Sequence, residues 1–268
     1  MRVRRAYADG AFGQIHYRIA RPDKDAGRTP VACLHMSPKS GRSFTRVLEA
    51  LSADRIAMAP DYPGYGASDP APPEPHVSIA DYARAVWTAA DAAGLQAVDL
   101  VGIHTGSLVA VECARQQPGR ARRLALISAP IATPNELADF RAFFAPIPLD
   151  AAGARFKIMW ERIAQFRGDD MTLEMMAQSF SDNLQGGEAY EWGHRAAFNY
   201  METDFAAALR ALPHRITVFN PSDELNAQTV RAAALLRPGA VIEKPNWGHG
   251  FLEARADELA SELRAIFD

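Results

Sequence analysis

The chain has 268 residues, 48% of them hydrophobic, and a formal net charge of −3 at pH 7. This is enough for one large core, with or without a small subdomain. Acidic and basic residues are interspersed without a basic stripe for a polyanion, so we expect no nucleic-acid partner. No window approaches about 18 uninterrupted apolar residues and no apolar segment follows the basic N-terminus, which predicts neither membrane insertion nor export.

The two cysteines, Cys33 and Cys113, lie in apolar surroundings typical of a buried strand and a buried helix. Their spacing indicates neither a disulfide nor a metal site, and free cysteine is among the most buried residue types. We interpret both as structural thiols in a reducing compartment, which favours a cytoplasmic protein.

In chain order, the first predicted elements are two short antiparallel strands, AYADG and GQIHYRIA. Apolar strand-like runs then alternate with segments that have the helical apolar period. The predicted strands lie at 31–35, 55–60, 97–103, 122–130, 215–223 and 240–245, and the predicted helices at 43–53, 78–95, 107–117, 229–238 and 251–267. Because parallel neighbours need crossover connections, this order predicts an α/β fold with a doubly wound, mostly parallel sheet.

The alternation stops between residues 131 and 209, where four helical segments rich in Phe, Trp, Tyr and Met follow one another. We interpret this region as a helical cap inserted into a core formed by residues 1–130 and 210–268. Most of its aromatic residues should serve packing, but Trp192 and His194 are candidates for the wall of a substrate pocket. Its aromatic side chains pack either inward or against a second subunit, and the latter would give a homodimer.

One turn stands out, GIHTG at residues 102–106, between a predicted strand and a predicted helix. Gly102 and Gly106 leave room for a sharp turn that lifts the central side chain, His104, above the carboxyl edge of the sheet. The helix that begins near Thr105 directs unpaired N–H groups and a positive dipole end at the same place. Negative charge that develops there would be stabilised.

Together with this turn, four other motifs resemble the α/β-hydrolase superfamily, specifically its capped branch, along nearly the whole chain. The motifs are LHMSPKS (34–40), DYPGYGASDP (61–70), FNPSDEL (219–225) and NWGHGFLEARADELASEL (246–263). They follow the chain order of nucleophile, acid and histidine that this fold uses. The resemblance implies an elbow with His104 in place of serine.

Carried over to this sequence, the resemblance implies that Asp223 is the acid and that it orients the catalytic histidine, His249, through Nδ1. We favour Asp223 over the adjacent Glu224 for this role because it aligns with the acid of the family. The backbone N–H groups of Ser37 and Thr105 would form the oxyanion hole.

The same motifs contain one departure and two further pocket candidates. Met36 replaces the glycine of the family's His-Gly pair, which would alter the hole if that position required a positive φ. Met36 and Trp247 are, by position, candidates for the pocket wall.

The remaining histidines have less specific interpretations. His35 should brace its own loop through local hydrogen bonds. His16, His76 and His214 are expected to be ordinary surface or loop residues.

Four roles for His104 remain open. It acts as nucleophile or general base beside His249, where repulsion between the two rings would lower one pKa, or the pair activates water directly. In the second alternative, His104 is the base for lyase-type proton transfer, decarboxylation or C–C cleavage. A metal site would need both histidines and a carboxylate to converge, but Asp223 should lie behind His249. In the fourth alternative, His104 has no catalytic role and the pocket only binds a small apolar ligand.

We therefore predict a hydrolase that needs no cofactor or metal and acts on a small ester, lactone or similar carbonyl compound. His104, Asp223 and His249 would form its catalytic constellation.

Overall fold

The computed structural model describes residues 2–24 and 26–268. Its described residues form a single eight-stranded sheet. The strands are β1 (Arg4–Gly10), β2 (Gly13–Ala20), β3 (Val31–Leu34), β4 (Ala57–Pro60), β5 (Val98–Ile103), β6 (Ala121–Ile127), β7 (Arg215–Pro221) and β8 (Val241–Lys244). Each corresponds to a strand predicted from the sequence.

The sheet has the order β1-β2-β4-β3-β5-β6-β7-β8. Strand β2 pairs antiparallel with β1 and β4, and the other neighbours are parallel. The prediction of a doubly wound, mostly parallel sheet is therefore confirmed. Leu34 at the end of β3 pairs with Gly102 near the end of β5, so the loops that follow these strands are neighbours.

Helices cover both faces of the sheet. Those of the alternating region are α1 (Thr45–Leu51), α2 (Ile79–Ala92) and α3 (Thr105–Gln116). Between β6 and β7 lie α4 (Pro134–Phe143), α5 (Ala154–Gln165), α6 (Leu173–Gln185), α7 (Trp192–Thr203) and α8 (Phe205–Ala211). The chain ends with α9 (Asn226–Val230), α10 (Phe251–Ala254) and α11 (Ala256–Phe267).

Two predicted helices were wrong in extent. In place of a helix over 229–238, α9 ends at Val230 and a 3₁₀ turn follows at Arg231–Ala234. Pro238 accounts for the absence of helix at the end of the predicted segment, because it disfavours the helical conformation at the residue before it. The helix predicted over 251–267 is interrupted at Arg255, whose φ is −122° and whose Nε donates to Asp170 at 2.6 Å.

Alternate residues of the central strands pack on opposite faces of the sheet. Leu34 and Leu100 belong to the cluster under α2 and α3, whereas Cys33 and Val101 belong to the cluster under α1 and α11. Strands β3, β4 and β5 are buried on both faces, which explains their nearly continuous apolar sequences.

Both thiols are buried and unpaired, in the strand and the helix predicted for them. Burial raises the pKa of each thiol. Among the helices of the described ranges, none has the length and apolarity needed to span a membrane.

The close approach of three backbone segments determines the residues of the turn at 102–106. A Cβ on Gly106 would lie 2.0 Å from the Leu34 carbonyl oxygen, and one on Gly102 would lie 2.1 Å from the Gly106 carbonyl oxygen. No backbone oxygen can be displaced cheaply here, so both glycines are required by packing.

Replacement of Gly106 by alanine should therefore destabilise the fold by roughly 1–3 kcal/mol through overpacking. Gly119→Ala is the matched control, because a Cβ at that position would meet no atom within 4 Å. Urea unfolding of both variants measures the difference. Equal free energies of unfolding for the two variants would contradict this account of the turn.

Candidate active site

His104 lies in a strained turn between β5 and α3. Its φ of 51° and ψ of −116° make it one of two non-glycine residues in the described ranges with a positive φ. Its backbone N–H donates to the Ile127 carbonyl at 2.9 Å, which anchors the turn to β6. Such strain concentrates at functional sites. The side chain is 12% exposed and lines a cavity beside the carboxyl ends of the strands.

The imidazole of His104 is held by Asp223, in the loop after β7. Nε2 lies 2.9 Å from Asp223 Oδ2. The carboxylate also accepts a hydrogen bond from Ser128 Oγ at 2.5 Å and one from the Leu225 N–H at 2.9 Å. Because a carboxylate only accepts, Nε2 carries the hydrogen of this bond, and Nδ1 is the atom left for chemistry.

A second pair of histidine and carboxylate lies beside the first. His249 Nε2 lies 2.8 Å from Glu224 Oε2, and the other oxygen of Glu224 is 3.7 Å from His104 Nδ1. The two imidazole centroids are 5.5 Å apart at an interplanar angle of 76°. The structure therefore brings together His104, Asp223 and His249, with Glu224 between the two rings.

The predicted partner of His249 was wrong: its carboxylate is Glu224, and Asp223 binds His104. The reason is the size of the side chain on the turn. An imidazole at position 104 reaches further than a serine hydroxyl and contacts the acid directly. His249 consequently pairs with the next carboxylate along the chain.

Charge at the site is determined by these carboxylates. Burial lowers the pKa of His104, but the charge and hydrogen bond of Asp223 and the charge of Glu224 outweigh it, so the pKa is raised. The pKa of Glu224 falls to about 2, since the hydrogen bond from His249 and the nearby imidazoles outweigh burial. The expectation that repulsion between the rings would lower the pKa is wrong for His104, because its carboxylate partners dominate.

The cavity above the two rings has a volume of about 140 Å³. That is close to the roughly 150 Å³ of an engineered apolar cavity that binds benzene. Its walls are mainly apolar and include Leu108 of α3, Phe144 after α4 and Phe198 of α7. The cavity is therefore suited to a small molecule whose polar group faces the histidines.

Two of the four predicted pocket residues, Met36 and His194, line this cavity, and His194 stacks on Phe144 with centroids 4.0 Å apart. Trp192 does not, because residues two apart on a helix face different ways, and it lines a separate cavity with Arg195. Trp247 is also excluded: it is fully buried and stacks on Phe251.

The two proposed oxyanion donors, Ser37 and Thr105, line the same cavity. Neither backbone N–H has an acceptor in the described part of the chain. The φ of Met36 is not positive, so the position does not require the glycine that the family has there.

Three of the remaining histidines lie where they were expected. His35 bonds to its own loop through the Met36 carbonyl at 2.9 Å, His76 is exposed, and His214 lies half-buried in a loop. The prediction for His16 was wrong: it is 2% exposed on β2, with Nδ1 2.8 Å from Asp61 Oδ2. The reason is the loop after β4, whose buried Asp61 lies against the ring.

Sequence reasoning missed several residues around the cavity. Ser128 fixes Asp223 from the end of β6, where its φ is 57°. A polar residue near the carboxyl end of a predicted apolar strand was the available signal. Lys39 and Arg162 also line the cavity. Lys39 could have been found from its place in the LHMSPKS motif, whereas nothing local distinguishes Arg162 from other helical arginines.

One group of metal-ligand type occurs at the site. His104, Glu224 and His249 each offer one ligand atom, and these atoms lie within 4.8 Å of one another. The expectation that a carboxylate would not converge with the two histidines applied to Asp223, and Glu224 takes that position instead.

A model of the "Alpha/beta hydrolase family" matches residues 33–262 of this chain. Among solved structures, the chain is similar to an epoxide hydrolase from Vigna radiata, with 15% identity, a TM-score of 0.77 and coverage of 98% of this chain and 97% of that one. It is similar to a meta-cleavage product hydrolase from Pseudomonas fluorescens, with 17% identity, a TM-score of 0.77 and coverage of 98% and 97%.

An enol-lactonase from Burkholderia xenovorans is also similar, with 16% identity, a TM-score of 0.72 and coverage of 97% of this chain and 99% of that one. At these identities, the likeness establishes the fold alone.

The position of Asp223 predicts how His104 titrates. Asp223→Asn removes the negative charge beside His104 Nε2, so the pKa of His104 should fall. Ser128→Ala keeps that charge and should change the pKa of His104 less. Proton–nitrogen NMR of the imidazoles over pH 4–9 measures both, a range of about two or more pH units on each side of the usual histidine pKa. An unchanged pKa in Asp223→Asn would contradict the assigned pairing.

The raised pKa of His104 also makes the free energy of unfolding depend on pH. The pKa of His104 is raised in the folded state above its unfolded value of about 6.5. Its protonation therefore stabilises the fold fully below that pH, and the contribution is lost as the pH rises through the folded pKa.

Proposed function

Because this chain belongs to the alpha/beta hydrolase family, we propose that its cavity hydrolyses a small ester, lactone or similar carbonyl compound without a serine nucleophile. The observation that carries the proposal is the presence of two adjacent histidine–carboxylate pairs at the elbow of an apolar cavity. Residues 1–130 and 210–268 would form the catalytic core, and residues 131–209 would form the cap that covers the substrate.

In this mechanism, His249 is the general base. Glu224 accepts the hydrogen of Nε2, which leaves the lone pair on Nδ1 to take a proton from water. The water oxygen bonds to the carbonyl carbon, and the electron pair of the carbonyl moves to its oxygen. The protonated ring then returns the proton to the leaving oxygen as the carbon–oxygen bond breaks, which gives an acid and an alcohol.

His104 would act as a cation rather than as a nucleophile. Its raised pKa favours the imidazolium, which has no lone pair with which to attack a carbonyl carbon. An Nδ1–H at this position can instead donate to the oxyanion, together with the backbone N–H groups of Ser37 and Thr105. This supports direct attack by water over an acyl-imidazole intermediate.

A second candidate rests on the distances within the group formed by His104, Glu224 and His249. Two histidines and a glutamate are a known ligand set for catalytic Zn²⁺, which binds imidazole nitrogen at about 2.0–2.1 Å. The bond from His104 Nε2 to Asp223 has the form of the carboxylate contacts that orient metal-binding histidines. A bound ion of this kind would lower the pKa of a coordinated water.

Removal of the base tests the hydrolytic proposal. His249→Gln should lower kcat about 10²- to 10⁴-fold on a panel of small esters and lactones, because a general base is worth that much. Glu224→Gln should lower kcat more than it changes KM, since it positions the ring. His214→Gln is the matched control, because this half-buried histidine lies outside the cavity and bonds to the Pro118 carbonyl.

Two results would contradict the mechanism. One is a His249→Gln variant with unchanged kcat/KM. The other is turnover in ¹⁸O-labelled water without incorporation of label into the carboxylate product, which would indicate lyase-type proton transfer instead.

The metal candidate has a separate test. Dialysis of the purified protein against dipicolinate should leave acid–base hydrolysis unchanged. Loss of activity with the chelator, restoration by Zn²⁺ and a stoichiometric metal content by mass spectrometry would favour the second candidate over the first.

A further inference from the structure

Lys39 places a positive charge on the wall of the catalytic cavity without a carboxylate partner. It follows the Ser37-Pro38 segment and is partly buried. Its ammonium donates to the Asn183 Oδ1 at 2.5 Å and to the Ser179 carbonyl at 3.2 Å, both in α6. These two acceptors are neutral, and the ammonium has three hydrogens.

The adjacent carboxylate, Asp182, forms no ion pair with Lys39. Asp182 of α6 lies 2.7 Å from Arg42 Nε and is committed to that ion pair. No ion pair of Lys39 occurs in the part of the chain that the structure describes. A charged group removed from water is normally paired with an opposite charge. Lys39 has no such counter-ion.

Arg162 of α5 is a second cation on the cavity wall. Its Nη2 donates to the Phe143 carbonyl, and its guanidinium lies over the rings of Phe143 and Phe144, 4.9 and 5.5 Å from their centroids. Its Nη1 is buried without a hydrogen-bond acceptor. Such an orphaned donor is costly unless a ligand or water satisfies it.

His194 lines the same cavity as the two cations, and its ring is incompletely hydrogen-bonded. It is 9% exposed, lines the cavity, and its Nδ1 is buried without a partner. Burial and then the charges of Arg162, His104 and Lys39 lower its pKa to about 3. The ring is therefore neutral at pH 7, and it lines the same cavity as Lys39 and Arg162.

The charges that face this cavity do not balance. Arg162 and the protonated form of Lys39 are positive, and the carboxylate on the wall is Glu224, which already lies between His104 and His249. The rest of the wall is mainly apolar. A ligand with a negative group would neutralise the two cations and satisfy the orphaned Arg162 nitrogen.

We propose that the substrate of this site carries a carboxylate, which Lys39 and Arg162 bind while the reacting carbonyl lies over His104 and His249. The substrate class is then a small carboxylate-bearing ester or lactone, such as the monoester of a short dicarboxylic acid. This inference rests on the proposed function for the reacting end, and it adds the group that recognises the other end.

The pKa of Lys39 supports this assignment. Burial lowers it to about 7; the charge of Asp182 opposes this effect, and the charge of Arg42 adds to it by a smaller amount. A carboxylate that binds beside the amine favours its protonated form, so the site takes up a proton together with the anion.

A matched pair of substrates tests the inference. We compare monomethyl succinate with methyl succinamate, its neutral amide analogue, and expect wild type to have the higher kcat/KM with the former. Lys39→Met and Arg162→Met should each reduce this preference by about tenfold or more, the scale of a lost charge-assisted hydrogen bond. Lys157→Met is the control, because that lysine is 78% exposed on α5.

A binding measurement separates this inference from the proposed function. Succinate titrated into the inactive His249→Gln variant and followed by calorimetry should bind, and the double variants with Lys39→Met or Arg162→Met should bind about tenfold or more weakly. Circular dichroism checks that each variant is folded. If no ester is turned over but succinate binds in this way, the carboxylate site stands and hydrolysis does not.

The inference is overturned if wild type prefers the neutral substrate and succinate does not bind. It is also overturned if both cation variants lower turnover of the two esters equally, since that would indicate a general effect on the cavity. If Lys39→Arg keeps the preference for the charged substrate and Lys39→Met loses it, the charge of the side chain is the property that matters.

Discussion

The hydrogen bond between His104 Nε2 and Asp223 determines how the other ionisable groups of the site are arranged. It exists because a turn packed on two glycines holds an imidazole where this fold usually presents a hydroxyl. Once Asp223 is occupied, His249 bonds to Glu224, and one carboxylate lies between two rings. The raised pKa of His104 and the base role proposed for His249 both follow from that sharing.

The fold was predictable from sequence because its signals are local. The eight strands follow from short apolar runs and turns, and the glycines at 102 and 106 identify the strained elbow. The pairing of acids with histidines was not predictable, since it depends on how far a side chain reaches across space. The orientation of Trp247 was also not predictable: it is buried against Phe251, whereas His249, two residues later, lines the cavity.

The cavity combines an apolar wall with cations that the chain itself leaves unpaired. Lys39 precedes the helical turn at Gly41–Phe44 in the core, while Arg162 lies on α5 between β6 and β7. Lys39 already bonds to α6, so binding of one anion by both groups would add α5 to the inserted helices that this residue contacts.

Asp223 and Glu224 are consecutive in one loop, yet each serves a different imidazole. A side chain as short as serine at position 104 would leave the Asp223 carboxylate without its imidazole partner. The residue at the elbow therefore determines whether one or both acids of this loop are bonded to a histidine.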